Sequence, residues 1–276
     1  MDENLLQQLN TVWNSQKKVL NPPVAYTEQA IQDWFNAIAH NVASVMTDFP
    51  PQRCWSAQFC NTVLPDHELT RKPDIILIDS LLAPLDWRSV HAVAEVTSRS
   101  YVHADMTRTI NNKTYLMFST QYNRRFVPFL GICAEKIFFY VTDREGQTVS
   151  EICHLQRGTY HALNLLRVIV ALMFASPETI GFDPTMNASK GDINTIFCDQ
   201  EYTVKSTIHA VRGIIGRSTR VWSAFNNKKE LCIIKDGWIQ EGRADTEREY
   251  LAKLKGITGI PELIWGGTVQ IHDPNP

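Results

Sequence analysis

The chain has 276 residues, 44% of them hydrophobic and 20% charged, which suits one large core or two smaller ones. Lys and Arg number 27 against 29 Asp and Glu, so the formal charge is −2 and no overall basic field draws the chain to nucleic acid or to an anionic membrane. The start, Met1-Asp2-Glu3-Asn4, is acidic, and the longest apolar run, Leu165 to Phe174, carries Arg167, so the expectation is a soluble intracellular chain, cytoplasmic or nuclear.

Leu5, Leu6, Leu9, Val12 and Trp13 recur at three- and four-residue steps and predict a short first helix. A second helix follows Thr27 as N-cap, with Glu28 just after it and Ile31, Trp34, Phe35, Ile38, Ala39, Val42 and Val45 on one face. Asp48-Phe49-Pro50-Pro51 ends it. Strands are expected at Ile75 to Ile78 and Val90 to Val96, separated by a loop holding Pro84 and Asp86. Tyr101 to Gln121 reads as a helix, and Phe126 to Cys133 with Ile137 to Val141 as a hairpin. Asp143-Arg144-Glu145-Gly146 is a turn before a strand from Val149 to Cys153. Gly158 to Phe174 reads as a largely buried helix ended by Ser176-Pro177. The six cysteines form no Cys-x-x-Cys pair and read as buried reduced thiols, while His91, His103, His154 and His161 lack metal-ligand spacing.

Pro73-Asp74 opens one predicted strand and Glu95-Val96-Thr97 falls late in the next. Carboxylates on neighbouring strands can hold a divalent metal, because hard oxygen ligands converge there, so Asp74 and Glu95 are the candidate metal ligands. The arrangement resembles the PD-(D/E)-x-K nuclease core, whose lysine two residues beyond the second acid positions or activates water. Thr97 stands at that place and cannot carry a charge; Lys113 substitutes only if its helix brings the ammonium into the site. A decayed nuclease-like scaffold is expected ahead of an active nuclease. Asp79 and Asp86 fit a metal site or a strand-end turn. Gln121 to Phe126 places two arginines beside amide and aromatic groups, which fits a contact with phosphate or an acidic protein surface or, preferably, a solvated helix end.

Farther along, Gly216-Arg217-Ser218-Thr219-Arg220-Val221 is followed by the apolar strand Leu231-Cys232-Ile233-Ile234, closed by Lys235. Asp245 or Thr246 then caps a helix with Glu247, Leu251 and Leu254, and Gly259 to Ile264 enters another strand. This order resembles a protein-kinase small lobe, in which a glycine loop lets the backbone approach phosphates and a strand lysine is held by a helix glutamate. The resemblance makes Gly216, Ser218, Val221, Lys235 and Glu247 the candidate nucleotide contacts, with ATP and Mg2+ as cofactors and Glu249 as the alternative lysine partner. The valine arrives two residues earlier than the usual pattern places it, and Ser218 replaces the second glycine.

Taken in order, Arg71-Lys72-Pro73-Asp74, Trp87, Glu95, Gln121, Arg124-Arg125-Phe126-Val127, Asp143-Arg144-Glu145-Gly146, Gly181-Phe182-Asp183, Gly216-Arg217-Ser218-Thr219, Lys235-Asp236-Gly237-Trp238 and Gly259-Ile260-Pro261 resemble the fungal-type protein kinase-like family. The resemblance implies an ATP-dependent Ser/Thr kinase domain preceded by an α/β region. The expected fold is α+β or α/β, with a restriction-endonuclease-like α/β domain over 1–200 and a partial kinase small lobe over 201–276. Family members continue into a large lobe bearing a His-Arg-Asp segment, which these residues do not contain, so the expectation is a truncated, pseudokinase-like protein, inactive alone, with no catalytic residue assigned. The alternative is a non-catalytic interaction or regulatory protein that binds a protein partner or a related kinase chain. Metal-dependent DNA cleavage through Asp74 and Glu95 ranks last, and nucleic acid is not an expected partner.

Overall fold

The computed structural model describes residues 9, 12–46, 48–65, 69–79, 86–97, 102–189, 192–239, 242 and 246–269. A short hairpin of β1 (Trp13–Asn14) and β2 (Val19–Leu20) precedes α1 (Glu28–Val45), whose N-cap Thr27 accepts a hydrogen bond from the Ala30 N–H. The apolar stripe of α1 is buried as its spacing predicts. Helix α1 also closes a sheet edge. Its Asn36 amide exchanges two hydrogen bonds with the Trp55 backbone on β3 (Arg53–Ser56), at 2.9 and 3.0 Å, so this short edge strand is shielded from further pairing.

Strands β3, β4 (Ile75–Asp79), β5 (Ala92–Thr97), β6 (Val127–Cys133), β7 (Lys136–Thr142) and β8 (Gln147–Val149) lie side by side in that order. Neighbours are antiparallel except β5 and β6, which run parallel and are joined by α2 (His103–Thr120). A parallel pair requires such a crossover. Strand β9 (Cys153–His154) pairs with β7 beyond the end of β8, and α3 (Gly158–Phe174) follows. Alternation along β4 builds the layers: Ile75 and Leu77 join α1 and α3 in one core cluster, whereas Ile76 and Ile78 join α2 in another. The result is helix, sheet, helix, with both sheet faces covered.

A second sheet runs β10 (Met186–Ser189), β11 (Asp192–Phe197), β12 (Glu201–Ala210), β13 (Arg220–Phe225) and β14 (Leu231–Asp236), all antiparallel and in sequence order. Its core is small: Met186, Ile193, Ile196 and the fully buried Trp222, with Tyr122, Val204 and Ile234 against them. Helix α4 (Glu247–Lys253) follows.

Residues 121–126 and 177–183 join the two units. Arg124, 1% exposed, donates to the carbonyls of Ile180, Val90 and His91 and lies 3.7 Å over the Phe182 ring. Arg125 N–H donates to Gly181 O at 2.8 Å, and its guanidinium to Glu178 O and Phe182 O. Gly181 has φ +107°, and a Cβ there would sit 2.2 Å from Phe126 O. The expected solvated helix end is therefore corrected. These cations are drawn inward by backbone carbonyls that burial would otherwise leave unpaired.

Other expectations shift. Val12 lies in a turn and Trp13 begins β1 in place of the first helix, most of whose remaining residues fall outside the described ones. The strand expected over 149–153 resolves into β8 and β9, which share one edge of β7. Gly259 to Ile264 forms a turn and irregular chain, not a strand. Strands β3, β10, β11 and β12 join elements that the sequence pattern does not announce, and the second sheet includes two strands that precede residue 201. Of the six thiols, only Cys133 is buried and five are half-buried.

Candidate functional site

Two constellations gather the candidate residues. In the second sheet, antiparallel register sets Lys235 opposite Val221 and Asp236 opposite Arg220. Just past β14, the Trp238 N–H donates to Arg217 O at 2.8 Å, so the end of the lysine strand runs beside the glycine-bearing loop. Gly216 has φ 106° and Ser218 φ 41°, both in the left-handed region that favours glycine. Ser218 is buried and its hydroxyl has no partner among the described residues.

Helix α4 supplies the opposing acid. Thr246 caps it in a capping box: its hydroxyl accepts from the Glu249 N–H at 3.4 Å, and Glu249 Oε2 accepts from the Thr246 N–H at 2.6 Å. That reciprocal arrangement engages Glu249 and leaves Glu247, at the first helical position, to pair its Oε2 with Lys235 Nζ. The pair is half open to solvent, with side-chain exposures of 42% and 50%. Asp245 lies outside the described residues.

The second constellation is in the first unit. Ile75 opposes Ala94 across β4 and β5, which places Asp74 beside Glu95, and Asp74 Oδ2 accepts from the Val96 N–H at 2.8 Å. Helix α2 brings Lys113 Nζ into an ion pair with Glu95 Oε1, and both side chains are nearly inaccessible. Burial pushes the Glu95 carboxyl up to about 7 against the pull of Lys113, with Asp74 adding to the rise. Asp74 is also raised, chiefly by burial, with Lys113 opposing and the Glu28 charge on α1 contributing. Thr97 ends β5 and carries no charge; the ammonium beside Glu95 comes from Lys113 on α2. Asp79 approaches His91 Nε2 at 2.9 Å and Arg53 at 3.9 Å, while Asp86 caps the single 3-10 turn Trp87–Ser89. Among the described residues no group of three or more His, Cys, Asp or Glu could hold a metal ion, and no helix is long and apolar enough to cross a membrane.

A three-layer α/β unit followed by an antiparallel sheet with a lysine-glutamate pair defines a mixed α+β protein. A family model described as fungal protein kinase matches residues 72–275, most of the chain. The chain belongs to that family. Neither a curated protein nor a solved structure matches it.

Sequence reasoning missed Arg144 and Arg220 as contacts between the units. Arg220, 3% exposed, donates to the Tyr122 carbonyl, and Arg144 reaches the glycine-bearing loop. Arg220 directly precedes the candidate Val221, and Arg144 sits in a tight turn, so a pattern search reads both as surface charges.

Proposed function

We propose that β12 to α4 form the nucleotide-gripping part of a kinase small lobe. Lys235 contacts ATP phosphates, Glu247 orients Lys235, Val221 covers the base, and Gly216 and Ser218 bring the backbone toward the phosphates. The observation that carries this reading is the Lys235–Glu247 pair with Val221 directly opposite the lysine. An ion pair this exposed contributes at most about 1 kcal/mol to folding, so stability alone gives little reason to hold it. A lysine at a strand end that is fixed by a helix acid has its ammonium placed to meet an anionic ligand.

Magnesium, when bound with ATP, neutralises phosphate charge. The residues here hold and orient the nucleotide; transfer needs acids for the metal and for the nucleophile, which a large lobe on the same or another chain would supply. Calorimetry with ATP and Mg2+ tests the reading. The wild type is expected to bind and Lys235→Met to bind about tenfold more weakly or worse. Absence of binding both by the wild type and by variants that free the glycine-bearing loop overturns it in favour of a non-catalytic interaction protein that docks a protein partner or a related kinase chain.

A second reading concerns residues 1–200, for which the juxtaposition of Asp74, Glu95 and Lys113 supports a nuclease-like scaffold. Glu95 is engaged by Lys113 in a buried pair, so the ammonium takes the place that a metal would need and the residues do not fit a divalent ion. We assign this region a scaffold role. Magnesium-dependent nicking of plasmid DNA that disappears in Asp74→Ala would overturn that assignment.

A further inference from the structure

The turn Asp143-Arg144-Glu145-Gly146 lies between β7 and β8 of the first unit, yet it grips the glycine-bearing loop of the second. Arg144 Nη1 donates to the Gly213 carbonyl, and the Arg144 carbonyl accepts from the Gly216 N–H at 2.9 Å. Its guanidinium lies 3.7 Å over the ring of Phe118 on α2. Ile214 packs against the core cluster beneath α2, whereas the adjacent Ile215 is exposed. A phosphate loop works through backbone N–H groups aimed at the anion. Here the Gly216 N–H is turned to a carbonyl of the other unit.

The docked state also carries a penalty. Arg144 is 1% exposed, and its Nε and Nη2 have no acceptor among the described residues. A buried guanidinium with unpaired N–H groups opposes the arrangement that buries it. Burial, with the nearby Arg220 charge, lowers the Arg144 pKa to about 9, the direction expected of a cation held in an unfavourable place. Favourable contacts offset by such a penalty leave a second, released state within reach.

We infer that the first unit restrains the glycine loop of the second: Arg144 and Ile214 hold it in a docked conformation that competes with nucleotide phosphates for the Gly216 N–H. The inference rests on the nucleotide reading of Lys235. Calorimetric titration of ATP with Mg2+ into the wild type, Arg144→Ala and Ile214→Ser tests it, with thermal unfolding to establish that each variant is folded. Both variants are expected to bind about tenfold more tightly, as when the docked loop outweighs the released one by roughly ten to one. Binding confined to the two variants supports the inference as well. Equal or weaker binding by folded variants, beside a wild type that binds, overturns the inference and leaves the nucleotide reading standing. Absence of binding in all three overturns both. Should Arg144→Ala fail to fold, Ile214→Ser decides.

Discussion

Two lysine-glutamate pairs in one chain sit in opposite surroundings. Glu95 and Lys113 meet between β5 and α2 with side-chain exposures of 6% and 4%, whereas Lys235 and Glu247 meet between β14 and α4 at 42% and 50%. The same two residue types therefore do different physical work. Each member of the buried pair depends on the other, because either charge left alone in the core is strongly disfavoured. The open pair is screened by water and contributes little to the fold.

The largest expected break in this comparison is Lys113→Met, which strands Glu95 in the core and destabilises the protein by about 3–5 kcal/mol at alkaline pH in urea unfolding. Adding Glu95→Gln to that variant restores a large part of the loss, a non-additivity absent from the open pair. A pH series sharpens the same point. The folded-state pKa of Glu95 is raised to about 7, above its unfolded value, so its contribution is full below the usual carboxylate range and is lost as pH rises through about 7. The melting temperature should accordingly fall between pH 5 and 8, with a smaller fall in Glu95→Gln. Thr246→Ala removes the N-cap of α4 and costs about 1 kcal/mol of helix stability. Circular dichroism with amide exchange should show fraying of α4, and nucleotide affinity should weaken because Glu247 is no longer held. Smallest is the stability effect of Lys235→Met, under about 1 kcal/mol, so a loss of ATP binding in that variant will not be a loss of fold.

Much of the first unit is legible in the sequence because its elements bury wide apolar faces. The stripe from Ile31 to Val42 and the buried face of Gly158–Phe174 carry the helical period, and Val127–Cys133 is a short run buried at every position. Strand β3, Arg-Cys-Trp-Ser, is too short to show one and is fixed by the Asn36 amide from a distant helix. The second sheet is harder to read since much of it faces solvent: β12 buries only Tyr202, and its partners are set by register rather than by local pattern. For the site, Lys235 and Glu247 are legible as a strand-end cation and a first-turn acid. The sequence ranks Glu247 ahead of Glu249, but the capping box that engages Glu249 is seen only in the fold, and the approach of Lys113 needed the rotational phase of α2, which follows from packing against β6.

The seam at Gly181 bears on how such a chain can be rearranged. Arg124 and Arg125 hold the carbonyls of Glu178, Ile180 and Phe182, and the backbone of Phe126 leaves no room for a side chain at residue 181. A recombinant that grafts a different second half after α3 would have to carry Gly181-Phe182 with it or forfeit the joint. Shuffling between relatives is thus constrained to exchange the Arg124-Arg125 and Gly181-Phe182 segments as one inherited block.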